Sequence, residues 1–386
     1  MSGGLFALGL VIVVLTSASV LFTIVLPREP RGFQRLSAFV NRVVQVVFIA
    51  LSRLARTYER KDSLLAPTAP VALLAQLMFW AACLVVGYGL MLEHTTHRLG
   101  GAFIQATGAV FTVGTIDLSG PANRAVDIAA GATWVVIVAL QIAYLPALYA
   151  AFNRRESPVA MLESRAGLPA WGPEVLARHQ LVGITDTLPD FYASWESWSA
   201  DLAESHTTYP VMLLFRSPEP WFSWLIGLLA VLDGAAMHLA LAPGTASSQA
   251  RLCLRMGFTA LNRIAKVQGL EVDPDPSPEG PIALTFDEFN RAVEMLADIG
   301  FPMERSAEDA WPEFRGWRVN YERSAYWLAD RLTAPPAPWS GNRRHLRSGA
   351  VAPRRPPQRS PGVLDGRRPK VVVVPPAHRG GGSGTK

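Results

Sequence analysis

Six consecutive residues, Thr112-Val113-Gly114-Thr115-Ile116-Asp117, follow an apolar stretch, Gly100–Phe111. That stretch is too apolar for an exposed loop and too short to cross a bilayer, which suits a re-entrant half-helix. Backbone that stops being helical at membrane depth survives only where protein buries it or where it lines a water-filled cavity. The six residues are therefore expected to face a pore. The alternative is a loop that only caps a membrane bundle, with Gly114 at a tight turn.

Other residues that could do chemistry are few. Glu93-His94-Thr95-Thr96-His97 sets two imidazoles and a carboxylate near one helix end, without the His-Glu-x-x-His order of a metalloprotease, and no metal is expected there. Asp127 could ring an outer vestibule and attract cations, or be a plain acidic residue at a helix start. Asp233 and His238 are the only ionisable groups within Trp221–Ala242. There is no glycine-rich phosphate loop, no Gly-x-Ser-x-Gly elbow and no histidine with a plausible nucleophile. No catalytic residue and no cofactor is expected, and the chain does not read as an enzyme. Cys83 and Cys253 fit neither a disulfide framework nor a zinc site. Trp195, Trp198, Trp221, Trp224, Trp311 and Trp317 read as core anchors. Thr285 and Glu288 read as a capping box, and further helix starts fall near Ser247 and Ser306.

The elements that must position these residues are membrane helices. Only 17% of the 386 residues are charged, against about 25% in soluble domains, and the mean hydropathy is +0.21. Leu5–Leu26, Val71–Leu92 and Ala125–Phe152 each meet the roughly 20 residues needed for a span. Nothing basic precedes the first of them, so it reads as an uncleaved helix rather than a signal peptide. Arg28, Arg31, Arg35, Arg42, Arg53, Arg56, Arg60 and Lys61 lie between the first two spans, and only Arg98 and Arg124 between the second and third. The positive-inside rule then places the N-terminus outside and everything after Arg155 in the cytoplasm, in a cell's plasma (inner) membrane. Within the basic linker, Leu36, Val40, Val43, Val44 and Val47 recur at helical spacing, as for a helix on the inner leaflet or packed under the membrane module. Trp221–Ala242 is a fourth span or, as preferred here, a helix buried in a cytoplasmic bundle.

Charge divides the chain. Residues 1–156 hold 12 basic and 7 acidic side chains, 157–338 hold 13 and 23, and 339–386 hold 11 and 1. The last segment, rich in Pro, Arg and Gly, is expected to be a disordered solvated tail. Its charge would suit anionic lipid, and no specific nucleic-acid partner is expected.

Thr112, Val113, Gly114 and Asp117 stand where the pore-loop potassium channels carry their Thr-Val-Gly-Tyr-Gly-Asp filter, and the chain over 71–155 resembles that family. An outer helix (71–92), pore helix (100–111), filter (112–117), a Pro121 and an inner helix (125–152) follow in the family's order. The resemblance implies a homotetramer with four loops around one axis. It implies that Thr112, Val113, Gly114 and Thr115 conduct a monovalent cation, K+ above all, through carbonyl and hydroxyl oxygens that replace its water shell. Ile116 and Asp117 would flank that filter, and Gly131 and Pro146 would be gating hinge points. Two departures stand out: Thr115 replaces the family's aromatic, and Ile116 its second glycine. They imply an outer filter of different shape, with relaxed or lost permeation.

The expected organisation is an all-α membrane protein with a pore-loop channel module, a helical cytoplasmic domain and a disordered tail. Its parts are an N-terminal transmembrane helix (1–27), a basic cytoplasmic linker with an amphipathic helix (28–70), the pore-loop module (71–155), an acidic helical cytoplasmic domain (156–338) and the basic tail (339–386). The cytoplasmic domain would regulate or assemble the channel. The competing expectation is a non-conducting membrane sensor or scaffold built on a channel frame.

Overall fold

The computed structural model describes residues 2–26, 35–96, 98–113 and 121–341. Among these residues the protein is all-helical, without a strand. Four helices, Gly3–Val25, Tyr58–Glu93, Pro121–Ala166 and Trp224–Leu241, are long and apolar enough to cross a membrane. The described residues form two compact units, one running to Asn153 and taking up Ser205–Arg216, the other comprising Arg154–Glu204 and the residues from Ser217 onward.

In the first unit, α1 (Ser2–Val20) carries no charge and ends in a π-helical turn, Leu21–Val25. Two further helices, α2 (Arg35–Ser52) and α3 (Tyr58–Leu65), lead into α4 (Thr68–Thr96). With 29 residues, α4 is about 44 Å long, more than the roughly 30 Å of a hydrocarbon core. It approaches α1 closely because Gly9 and Gly87 meet, and a Cβ on Gly9 would overlap the Gly87 carbonyl oxygen. Small residues at a crossing give membrane helices their van der Waals contact. Next come α5 (Leu99–Val110) and α6 (Pro121–Ala166). One core joins Trp80, Leu84 and Tyr88 of α4 with Ala102, Ala106 and Ala109 of α5 and Ile137 of α6.

A second core of this unit gathers Ala72 and Leu73 of α4 and Tyr144 and Leu148 of α6 around Val211, Met212 and Phe215. These last three belong to a short 3-10 turn, Pro210–Leu214, and its exit. Arg216 pins the segment, donating to the Asp62 carboxylate and the Tyr58 hydroxyl of α3. Residues 205–216, expected within the acidic helical domain (156–338), belong instead to the first unit, where their apolar run finds its partners on α4 and α6.

The second unit contains α7 (Gly172–Val182), most of α8 (Leu188–Thr208), α9 (Trp224–Leu241), α10 (Ser248–Val267), α11 (Phe286–Asp298), α12 (Ala307–Arg318) and α13 (Glu322–Arg331). All 18 residues of α9 are buried. Around it pack α7, α10, α12 and α13. Of these, α10 buries Cys253, Leu254, Gly257, Leu261 and Ile264 at helical spacing and exposes Arg251 and Arg255, the pattern of a helix between an apolar core and water. The capping box at Thr285 and Glu288 is present, and Ser247 and Ser306 are N-cap residues. Trp195, Trp198 and Trp224 are buried as expected, whereas Trp221, Trp311 and Trp317 are only half-buried.

The third apolar helix runs past its expected end. Instead of closing at Phe152, α6 continues to Ala166. The arginine pair in its last third is divided in role: Arg154 reaches Asp201 at 3.1 Å, while Arg155 is 1% exposed and held by Glu156 at 2.7 Å. Trp198 Nε1 donates to the Arg155 carbonyl at 3.2 Å. Once its charge is partnered, Arg155 no longer has to end a buried helix.

Candidate functional site

The site is built around α5. Its 12 residues span about 18 Å, so it cannot cross a bilayer. One face, Ala102, Gln105, Ala106, Ala109 and Val110, is buried, and small side chains let α5 lie close to its neighbours. Phe103 lies against Gly89 of α4, where an added Cβ would stand 2.6 Å from the ring. Gln105 Nε2 donates to Asp127 Oδ2 of α6 at 2.8 Å, and the other Asp127 oxygen is buried without a partner among the described residues. The frame is tied once more where the Tyr88 hydroxyl lies 2.8 Å from that of Thr133, which itself donates to the Ala129 carbonyl.

The C-terminal end of α5 is closed by its own backbone. Thr112 N–H donates to the Ala109 carbonyl at 3.2 Å and Val113 N–H to that of Gly108 at 3.0 Å, the paired bonds of a Schellman cap. The cap requires a left-handed residue, and Thr112 occupies that place with φ of 56°. Glycine is the usual occupant, and a β-branched residue there is strained. The Thr112 hydroxyl donates to the Phe111 carbonyl at 2.7 Å. Val113, 83% exposed, is the last residue described before Pro121 opens α6.

Of the predicted site residues, Thr112 and Val113 therefore sit directly at the end of α5, as their spacing required. Gly114, Thr115, Ile116 and Asp117 lie outside the described residues, as do His97 and the side chain of His94. Gly131 is placed where α6 crosses the last turn of α5: a Cβ there would come 3.2 Å from the Ala109 carbonyl oxygen and 3.7 Å from the Thr112 methyl. Pro146 lies on an exposed face of α6, and the helix is unbroken through both positions. Sequence reasoning missed Gln105, although it is the one side-chain amide in an otherwise apolar half-helix, and that isolation was the signal available.

The other polar centre lies in the second unit. Arg318, wholly buried, donates to Asp233, to Glu322 at 2.6 Å, to the Tyr326 hydroxyl at 2.8 Å and to the Trp339 carbonyl at 2.8 Å. Asp233 also accepts from the Tyr321 hydroxyl at 2.8 Å, and Glu322 from the backbone amides of Ala283 and Leu284. With the guanidinium and both carboxylates bonded to protein, this cluster is a structural clasp joining α9, α12 and α13. On α7, His179 donates from Nδ1 to the Val175 carbonyl at 2.7 Å and accepts from Arg165 at Nε2, 3.1 Å away. Burial, and then the Arg165 charge, hold its basicity below the ordinary histidine value.

Compared with protein-family models, with curated proteins and with solved structures, the chain matches none.

Proposed function

We propose that the protein is a potassium-channel-like ion channel that passes monovalent cations, K+ foremost, and is not an enzyme. In this reading it is a homotetramer in the plasma membrane, N-terminus outside and C-terminus cytoplasmic. Thr112, Val113, Gly114 and Thr115 line the narrowest point, with Ile116 and Asp117 flanking it and Gly131 and Pro146 as hinge points of α6. The second unit is a cytoplasmic domain that regulates or assembles the pore. We read α9 as its core rather than a fourth span, because amphipathic helices cover it. The basic tail is a contact for anionic lipid.

One observation carries the reading: α5 is too short to span, is packed against α4 and α6, and delivers Thr112 and Val113 to a strained turn. Non-helical backbone at such depth calls for a cavity, and strain retained at a β-branched residue is typical of functional sites. Self-association has its own support. On α6 the exposed residues Ala125, Ala129, Ala132, Val136, Ala139 and Ala143 alternate at spacings of four and three, a stripe suited to close packing of like helices in a membrane. The unpartnered Asp127 oxygen offers a cation a carboxylate close to this frame.

Flux of K+, Na+ and a larger cation into liposomes, for the natural chain and for Gly114→Asp, tests the proposal. Flux that the substitution abolishes is the expected result. A natural chain that stays tetrameric but passes no ion at any voltage or pH overturns it in favour of a non-conducting sensor or scaffold.

A further inference from the structure

The helix α2 has two apolar faces where periodicity suggested one. Val40 is buried and Val44 packs on the second core of the first unit, as their spacing required. Phe39, Val43, Val46, Val47 and Leu51 form a second ladder that no described residue covers, and Leu54 continues it at 80% exposure. A helix apolar on both faces needs a second apolar phase to cover the outer one.

That phase is not a transverse crossing of the bilayer. Arg42 stands exposed near the middle of α2, and a charge at mid-bilayer is expensive. A helix lying along the interface keeps such a residue at headgroup level and its apolar ladder at the acyl boundary. Directly after the ladder come Arg53, Arg56 and Arg60, all exposed. Among the described residues none of these three side chains has an acidic partner. The nearby carboxylate of Asp62 is already bonded to Arg216, so Glu59 alone is left to offset them. The surface thus joins an uncovered apolar ladder to a cluster of free guanidinium groups, which is the complement of a phospholipid with a negative headgroup. It is also continuous with the membrane helices, since α2 packs against α4, which itself exposes Leu74 and Met78.

We propose that α2 and the turn after it form a docking surface for anionic phospholipid, with Phe39, Val43, Val47 and Leu54 at the acyl boundary and Arg53, Arg56 and Arg60 on headgroup phosphates. The inference rests on the membrane assignment and does not depend on conduction.

The test places a photoreactive group on the full chain, Val47→benzoylphenylalanine, in vesicles of phosphatidylcholine with phosphatidylglycerol as the minor component. Mass spectrometry then identifies the adduct. The expected product is a lipid adduct enriched in phosphatidylglycerol over the bulk composition, at about fivefold per engaged arginine. The combined variant Arg53→Gln, Arg56→Gln, Arg60→Gln should return the ratio to bulk, while a reference adduct from Leu74→benzoylphenylalanine persists and reports correct insertion. If the combined variant loses the reference adduct, rising salt on the natural chain replaces it and should erase the enrichment. A cross-link to a second copy, no adduct at all, or a lipid adduct at bulk ratio each overturns the proposal.

Discussion

Gln105 and Asp127, 22 positions apart, are joined at 2.8 Å, the side-chain amide of a helix too short to span held by a carboxylate of the helix that follows it. The bond ties α5, which leads into Thr112 and Val113, to α6. Gln105 is buried and Asp127 half-buried, so each has little water to fall back on and leans on the other. The pair fixes where α5 sits along α6, and with it the position of the chain that leaves α5.

Removing either partner should loosen the first unit. Gln105→Leu and Asp127→Leu are each expected to lower stability in detergent by about 1 kcal/mol, and the double variant by less than the sum. Thermal unfolding of the four chains supplies the cycle. Strict additivity would mean that the bond does not hold the two helices.

Thr112→Gly separates stability from function. A left-handed backbone costs an L-residue about 1–2 kcal/mol, and glycine escapes it, so the variant should unfold at higher temperature than the natural chain. If the proposed channel reading holds, it should also lose cation discrimination in flux, because the Thr112 side chain is gone from the end of α5. Unchanged discrimination would remove Thr112 from the conducting site.

In the second unit, Arg318→Met leaves Asp233 and Glu322 buried together without their cation. The expected loss is about 3–5 kcal/mol, read by denaturant unfolding of the full chain. Adding Asp233→Leu and Glu322→Gln should restore a part of it. A loss below about 1 kcal/mol for the single change would show that the clasp carries little of the fold.

Acid should weaken the second unit through His179. Burial and Arg165 lower its basicity in the folded protein, whereas the unfolded chain regains a value of about 6.5. Below that pH the unfolded state binds the extra proton, so stability falls as pH falls, by at most about 1.4 kcal/mol per pH unit for this group, until the folded form also protonates. The His179→Gln variant should show a shallower fall between neutral and mildly acid pH. An identical slope in both chains would exclude His179 as a source.

Much of the frame was legible because it is written locally. The apolar lengths of α1, α4 and α6 are properties of contiguous sequence, as are the side-chain caps at Thr285 and Ser306. The largely apolar twelve residues of α5 announced a helix too short to cross. Composition could not distinguish a membrane span from a core helix at Trp224–Leu241, since lipid and a protein interior favour the same side chains. That helices pack around α9 on several sides is visible only in the tertiary structure.

By itself the sequence determined the apolar helices, their order, the short helix before Thr112 and the acidic and basic division of the chain, because hydropathy and capping act over a few residues. Tertiary structure alone decided what lies far apart along the chain. It brought Arg318 to Asp233 across 85 positions. It carried α6 through Arg155, and returned Val211, Met212 and Phe215 to the first unit. Each of these depends on a buried charge or an apolar run finding its partner in space, and periodicity along one helix says nothing of where that partner is.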